Sequence, residues 1–126
     1  MSEERMALGR WGEDEAAHFL RRNGLKILQR NYRAPVGEID IVARHRKQLV
    51  FVEVKARRTT YYGTPLEAVG ERKQRQIIRA AQWYISEHKV DKLQPRFDVI
   101  EVMPGLHGQA LIDYVPNAFS VDFLNN

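Results

Sequence analysis

The sequence predicts an α/β fold, with a mixed central sheet flanked by helices in the element order αβββαββ, in a single domain over residues 1–126. Three observations carry that expectation. Two segments, one near the start of the chain and one after residue 70, hold apolar residues at helical spacing. Between them, two runs rich in β-branched residues flank the polar turn "HRKQ", as in a hairpin. A final pair of strand-like runs encloses the segment from Pro104-Gly105 to Gly108. At 126 residues the chain can bury a real core.

The first helix is expected in "MALGRWGEDEAAHFLRRNG", where Leu8, Trp11, Ala16, Phe19 and Leu20 form the apolar stripe and Asn23-Gly24 the stop. "LKILQRNYRA" follows as a strand, punctuated by Pro35 and Gly37, and "GEIDIVAR" and "QLVFVEVKAR" are the hairpin strands. Residues 58–70, "RTTYYGTPLEAVG", are turn-rich without a period, and that length suits a binding loop or a mobile flap. "ERKQRQIIRAAQWYISEH" is the second helix, with Ile77, Ile78, Ala81, Tyr84 and Ile85 facing inward. "QPRFDVIEVM" and "QALIDYV" close the sheet.

Composition narrows the function classes. With 44% hydrophobic and 29% charged residues the chain reads as an ordinary soluble globular protein. No apolar run approaches the roughly 20 residues of a membrane span, so no membrane partner is expected. The stretch "MSEERMALGRWGEDE" is acidic and lacks the apolar centre of a secretory signal. The absence of cysteine excludes disulfides, thiolate chemistry and Cys-ligated metals, and together these features lead to an expected cytoplasmic location. The net charge of +4 is small but unevenly placed. Arg44, Arg46, Lys47, Lys55, Arg57 and Arg58 surround Glu53, the only acid in that stretch, and Arg72, Lys73, Arg75 and Arg79 open the second helix. Such clusters suit phosphate contacts, and equally suit a solvated face. The four histidines share no metal-ligand spacing.

The hairpin gathers acids by its own pattern. Ile39 and Ile41 alternate with Glu38 and Asp40, and Val50, Val52 and Val54 alternate with Phe51, Glu53 and Lys55. Opposed residues of an antiparallel pair share a face, so uniting Ile39 and Ile41 with the three valines places Glu38, Asp40, Glu53 and Lys55 together on the other. Two or three carboxylates this close repel unless one protonates or a cation joins them. Magnesium accepts one or two carboxylates with waters and phosphate oxygens, and a neighbouring lysine can stabilise charge at phosphorus or hold the attacking water. The plainer reading is a set of charges on the wet face of a half-exposed hairpin, worth a few tenths of a kcal/mol each.

Taken together and in order, "GRWGEDEAAHFL", "RNYRAPVGEIDIVAR", "LVFVEVKAR", "YYGTPLEAV" and "RFDVIEV" resemble the YraN-like family of small uncharacterised bacterial proteins, from about Leu8 to Met103. That family is grouped with the PD-(D/E)XK nuclease superfamily, near the archaeal Holliday junction resolvases. The resemblance implies a restriction-endonuclease-like core. By position it makes Asp40 and Glu53 ligands of Mg²⁺ or Mn²⁺, Lys55 the catalytic lysine, and Glu13 of "GED" a helical glutamate that joins the metal site. Glu13 reads otherwise as a favourable acid near a helix N-terminus. Glu38 could support Asp40 or be structural. Lys73 falls where the family carries a basic residue, though a plain surface lysine reads as well. The Gln-x-x-x-Tyr motif of related nucleases is absent from the second helix, and Asp98 reads as a structural acid.

Around that centre, Arg44, Arg57 and Arg58 are candidate nucleic-acid contacts, and Tyr61 and Tyr62 could stack on unpaired bases. Trp83 reads as core or rim. The leading expectation is a metal-dependent endodeoxyribonuclease acting on DNA, branched DNA included, with a homodimer implied by the resolvase resemblance. The alternatives are a non-catalytic nucleic-acid-binding module on the same fold, and an interaction protein serving a separate nucleic-acid-processing enzyme.

Overall fold

Helix α1 (Glu3–Arg22) starts at Glu3 rather than Met6, because the Ser2 side chain accepts the Arg5 N–H at 3.2 Å and caps the extra turn. Glu3 and Glu4 in the first turn and Arg21 and Arg22 in the last suit the helix dipole. The computed structural model describes residues 2–59 and 63–120, so Tyr61 and Tyr62 lie outside the described residues.

The remaining elements are β1 (Lys26–Ala34), β2 (Gly37–His45), β3 (Gln48–Ala56), α2 (Glu71–His88), β4 (Gln94–Pro104) and β5 (Ala110–Phe119). The strands lie in the order β1-β2-β3-β4-β5. Neighbours are antiparallel except β3 and β4, which run parallel and are joined across the sheet by α2. This is the restriction-endonuclease-like core, in the order αβββαββ. β5 runs past the expected Val115 to Phe119, carrying Pro116 on an edge strand, where a missing N–H is tolerated. Among the described residues no helix is long and apolar enough to cross a membrane.

The hairpin departs from the plainer reading of charges on a wet face at its centre, where both sides of the sheet are buried. On one side Ile41, Ala43, Val50, Val52, Ile100 and Val102 pack against Ala16, Ala17 and Leu20 of α1. On the other, Val42, Leu49, Phe51, Phe97 and Val99 pack against Ile77, Ile78, Ala81 and Tyr84 of α2. Phe51 stacks on Phe97 at 5.6 Å between ring centroids and meets Tyr84 edge-on at 5.9 Å. A central strand covered on both faces reads as a near-continuous apolar run, as "LVFV" does. Ile39 also departs from expectation. It packs with Tyr32 in the α2-side cluster, not with Ile41 and the valines.

Gly12 sets how closely α1 lies on β3. A Cβ at this position would stand 2.5 Å from the Ala56 Cβ, a distance no side chain tolerates. Gly12→Ala should therefore destabilise the fold by about 1–3 kcal/mol through overpacking, although alanine is the better helix former. Thermal unfolding checks this, and a variant as stable as the parent would contradict the close approach.

Candidate active site

The site begins where the β2–β3 ladder stops. Pairing runs from His45↔Gln48 to Ile41↔Val52 and goes no further. The Val54 N–H is taken instead by the Asp40 side chain, which accepts it at Oδ2 over 2.8 Å. The carboxylate thus fills the opening between the parting strands and is fixed in direction by main chain. Asp40 also shares a hydrogen bond with Glu53, and burial plus that neighbour raise its pKa from 3.8 to about 8. The Val54 N–H and the Lys73 ammonium oppose the shift without cancelling it.

Glu53 is only 6% exposed. Its Oε2 is buried and has no hydrogen-bond partner among the described residues, and Lys73 Nζ stands 3.5 Å from it as an ion pair. Lys73 therefore reaches from the first turn of α2 into the acid pair. Glu13 approaches from α1. Burial and the Asp40 charge raise its pKa, and the Arg30 guanidinium works against them. Arg30 holds this part of α1 to β1, with Nη2 2.7 Å from Asp14 Oδ1 and 3.4 Å from Glu13 Oε1. Neighbouring Asn31, at φ 54°, adds a side-chain hydrogen bond to Glu13.

A cleft of about 620 Å³ opens beside these groups, with Arg5, Gly9 and Glu13 of α1 on one wall and Asp40, Lys55 and Arg57 on the other. Asp40, Lys55 and Glu13 thus share one cavity, with Glu53 touching Asp40 from a buried position. Glu38 does not join them. Its side chain is 60% exposed and pairs with Arg33 at 3.4 Å. Arg44 stands at the far end of β2, four residues and about 13 Å along the strand from Asp40, where its Nε donates to the Arg46 carbonyl at 3.0 Å. Arg57 is committed to the fold, paired with buried Glu101 and bonded to the Gly63 carbonyl. Arg58 is exposed and lines a separate groove with Trp11 and Pro104.

Asp98 is fully buried and accepts from Arg96 Nε and Nη2 at 3.0 and 2.9 Å, from Tyr114 Oη and from the Asn117 N–H. It holds β4 to β5. Two participants escaped the sequence pattern. Arg30 carries no signal of its own within the strand "LKILQRNYRA", whereas Glu101 carries a usable one as an acid inside the apolar run "VIEVM".

The family model for "Uncharacterised protein family UPF0102" matches residues 12–102, a span that holds Glu13, Asp40, Glu53, Lys55 and Lys73. The chain belongs to the UPF0102 family. This is the YraN-like family of the sequence resemblance. A UPF0102 protein of Syntrophotalea carbinolica is 60% identical over 97% of this chain and 98% of its own length. UPF0102 proteins of Desulfosudis oleivorans and Trichlorobacter lovleyi are each 43% identical, covering 97% and 93% of both chains respectively. These UPF0102 relatives match the chain nearly end to end, and none of their names states an activity.

The donor set suits a hard divalent cation. Among the described residues no three His, Cys, Asp or Glu side chains converge as a complete ligand cage. Magnesium needs none, because it binds through one or two carboxylates and keeps its waters. The buried Glu53 oxygen beside Asp40, held only by the Lys73 ion pair among the described residues, fits that demand.

Proposed function

We propose that this UPF0102 chain is a Mg²⁺- or Mn²⁺-dependent endodeoxyribonuclease that hydrolyses phosphodiester bonds, branched DNA among its substrates. One observation carries the reading. Two carboxylates are buried against each other at a cleft, and among the described residues one of their oxygens makes no hydrogen bond and meets the Lys73 ammonium only at ion-pair distance, 3.5 Å. A buried oxygen without a hydrogen bond costs up to about 1–3 kcal/mol, the Lys73 ion pair offsets part of that, and a cation would recover the rest. Asp40 and Glu53 would hold the ion, with Glu13 facing them from α1. Once bound, the ion would supply charge neutralisation at the phosphate and a more acidic water.

The chain's own groups do the rest. Lys55 lines the cleft beside Asp40 and presents an ammonium to a non-bridging phosphate oxygen, where charge grows as water adds to phosphorus. Lys73 holds Glu53 in place beside Asp40 through their ion pair. Arg58, exposed in the groove beside Trp11 and Pro104, would contact the DNA backbone.

The deciding measurement is cleavage of linear duplex, single-stranded and four-way DNA with Mg²⁺ and Mn²⁺, run beside Glu53→Gln and Lys55→Gln. Each variant should lose about 10²-fold or more in rate while retaining DNA binding. Unchanged cleavage in Glu53→Gln would sink the assignment.

A second reading, a nucleic-acid-binding module without catalysis, draws support from the Lys73–Glu53 ion pair, which already sets a cation against the buried carboxylate. It calls for steeply salt-dependent binding with no cleavage under any divalent ion.

A further inference from the structure

We propose that the outer face of α2 is a binding surface for single-stranded nucleic acid, with an unpaired base stacked on Trp83 and flanking phosphates held by Arg72 and Arg79. The helix buries Ile77, Ile78, Ala81 and Tyr84 and turns Arg72, Arg75, Arg79, Trp83 and Ser86 outward. At 3.6 residues per turn those five fall within an arc of about 80°. Trp83 is 48% exposed, although an indole on a helix with no surface partner would ordinarily be buried further.

The groove beside it, about 350 Å³, is lined by Val36, Arg79, Gln82, Trp83 and Ser86. Val36 and the indole offer apolar surface for a base, and Gln82 and Ser86 offer hydrogen-bonding groups to its edges. The charge of the face favours a polyanion. Arg72 and Arg79 are exposed, and among the described residues the salt bridge on this face joins Arg75 to Glu71 and leaves both outside it. An apolar protein partner would have to desolvate these guanidinium groups, whereas phosphates pair with them. The same helix begins at the candidate site, because Lys73 reaches Glu53. Trp83 lies about 15 Å further along the axis, so a strand leaving the cleft meets the arginines before the indole.

The inference rests on nucleic acid as the ligand class of the proposed function, and its test reads binding with cleavage switched off. The full chain is titrated in EDTA with a labelled oligothymidylate and with a blunt duplex of equal length. Trp83→Ala should weaken oligothymidylate binding about tenfold and leave duplex binding unchanged, and Trp83→Phe should recover most of the loss. Arg72→Gln and Arg79→Gln should each lower the slope of log affinity against log salt by about 0.7. Oligothymidylate binding within twofold of the parent in Trp83→Ala would overturn the proposal, as would an equal loss on duplex. Sedimentation showing that Trp83→Ala dissociates a dimer without affecting oligonucleotide binding would overturn it too, making the face a contact between copies. Because no metal is present, failure here leaves cleavage at Asp40 and Glu53 untouched, and an inactive cleft leaves the binding result standing.

Discussion

Asp40→Asn is expected to abolish metal-dependent cleavage and, in EDTA, to raise the melting temperature. The amide keeps an acceptor for the Val54 N–H and gains a donor toward Glu53, while the repulsion between two buried carboxylates disappears. The groups facing Asp40 are Glu53 and the Val54 N–H of β3, Glu13 of α1 and Lys73 of α2. The sign follows from the raised pKa. A carboxyl that titrates at 3.8 when unfolded and at about 8 when folded stabilises the fold most at low pH. That stability is then lost as pH rises toward 8, by up to about 1.4 kcal/mol per unit. The metal-free parent should lose stability from pH 5 to 8, and the variant should show a flatter profile. At pH 7.5 the gain should be on the order of 2 kcal/mol or more, roughly 6 °C or more for a domain of this size. Adding Mn²⁺ should stabilise the parent more than the variant and narrow the difference. A variant that melts below the parent in EDTA would contradict the buried acid pair.

Arg57→Ala should have the largest destabilising effect of the surface-named basic residues. Arg57 and Glu101 are 16% and 3% exposed and pair with each other, tying the end of β3 to β4. The Arg57 N–H also bonds the Val102 carbonyl at 3.1 Å. Removing the guanidinium strands a buried carboxylate, at a cost of about 3–5 kcal/mol, a drop of roughly 10 °C or more in melting temperature. Arg57→Met with Glu101→Gln should recover most of that loss, because no charge is left unpaired. The double variant also separates fold from binding. If Arg57 contacts DNA as well, oligonucleotide affinity stays reduced after stability returns.

Much of this molecule is legible in the sequence, and the illegible parts share a cause. The second helix and the hairpin strands follow local periodicity and fall at their expected places. The nearness of Asp40 to Glu53 follows from the hairpin, because each sits directly beyond the last opposed pair, Ile41 and Val52. Alternation fails where pairing fails. Once β2 leaves β3 beyond Ile41, face assignments no longer propagate, so Ile39 turns to the α2 side and Glu38 to solvent beside Arg33. Partners distant in sequence were equally hidden. The Lys73–Glu53 and Arg57–Glu101 pairs need the β3–α2–β4 crossover, and no spacing within one strand encodes them. The approach of Glu13 likewise depends on Gly12 fitting against Ala56, a contact between elements 44 residues apart.

The Val54 amide has one further use. It completes its hydrogen bond with a side chain whose charge is the variable quantity of the site, so the backbone itself carries a record of that charge. Protonating Asp40, or drawing its carboxylate toward a cation, must alter the strength of that bond. The nitrogen and proton resonances of this single amide, and its exchange with deuterated solvent, should therefore follow the state of the acid pair. Cleft chemistry becomes observable at a main-chain position, without any substrate present.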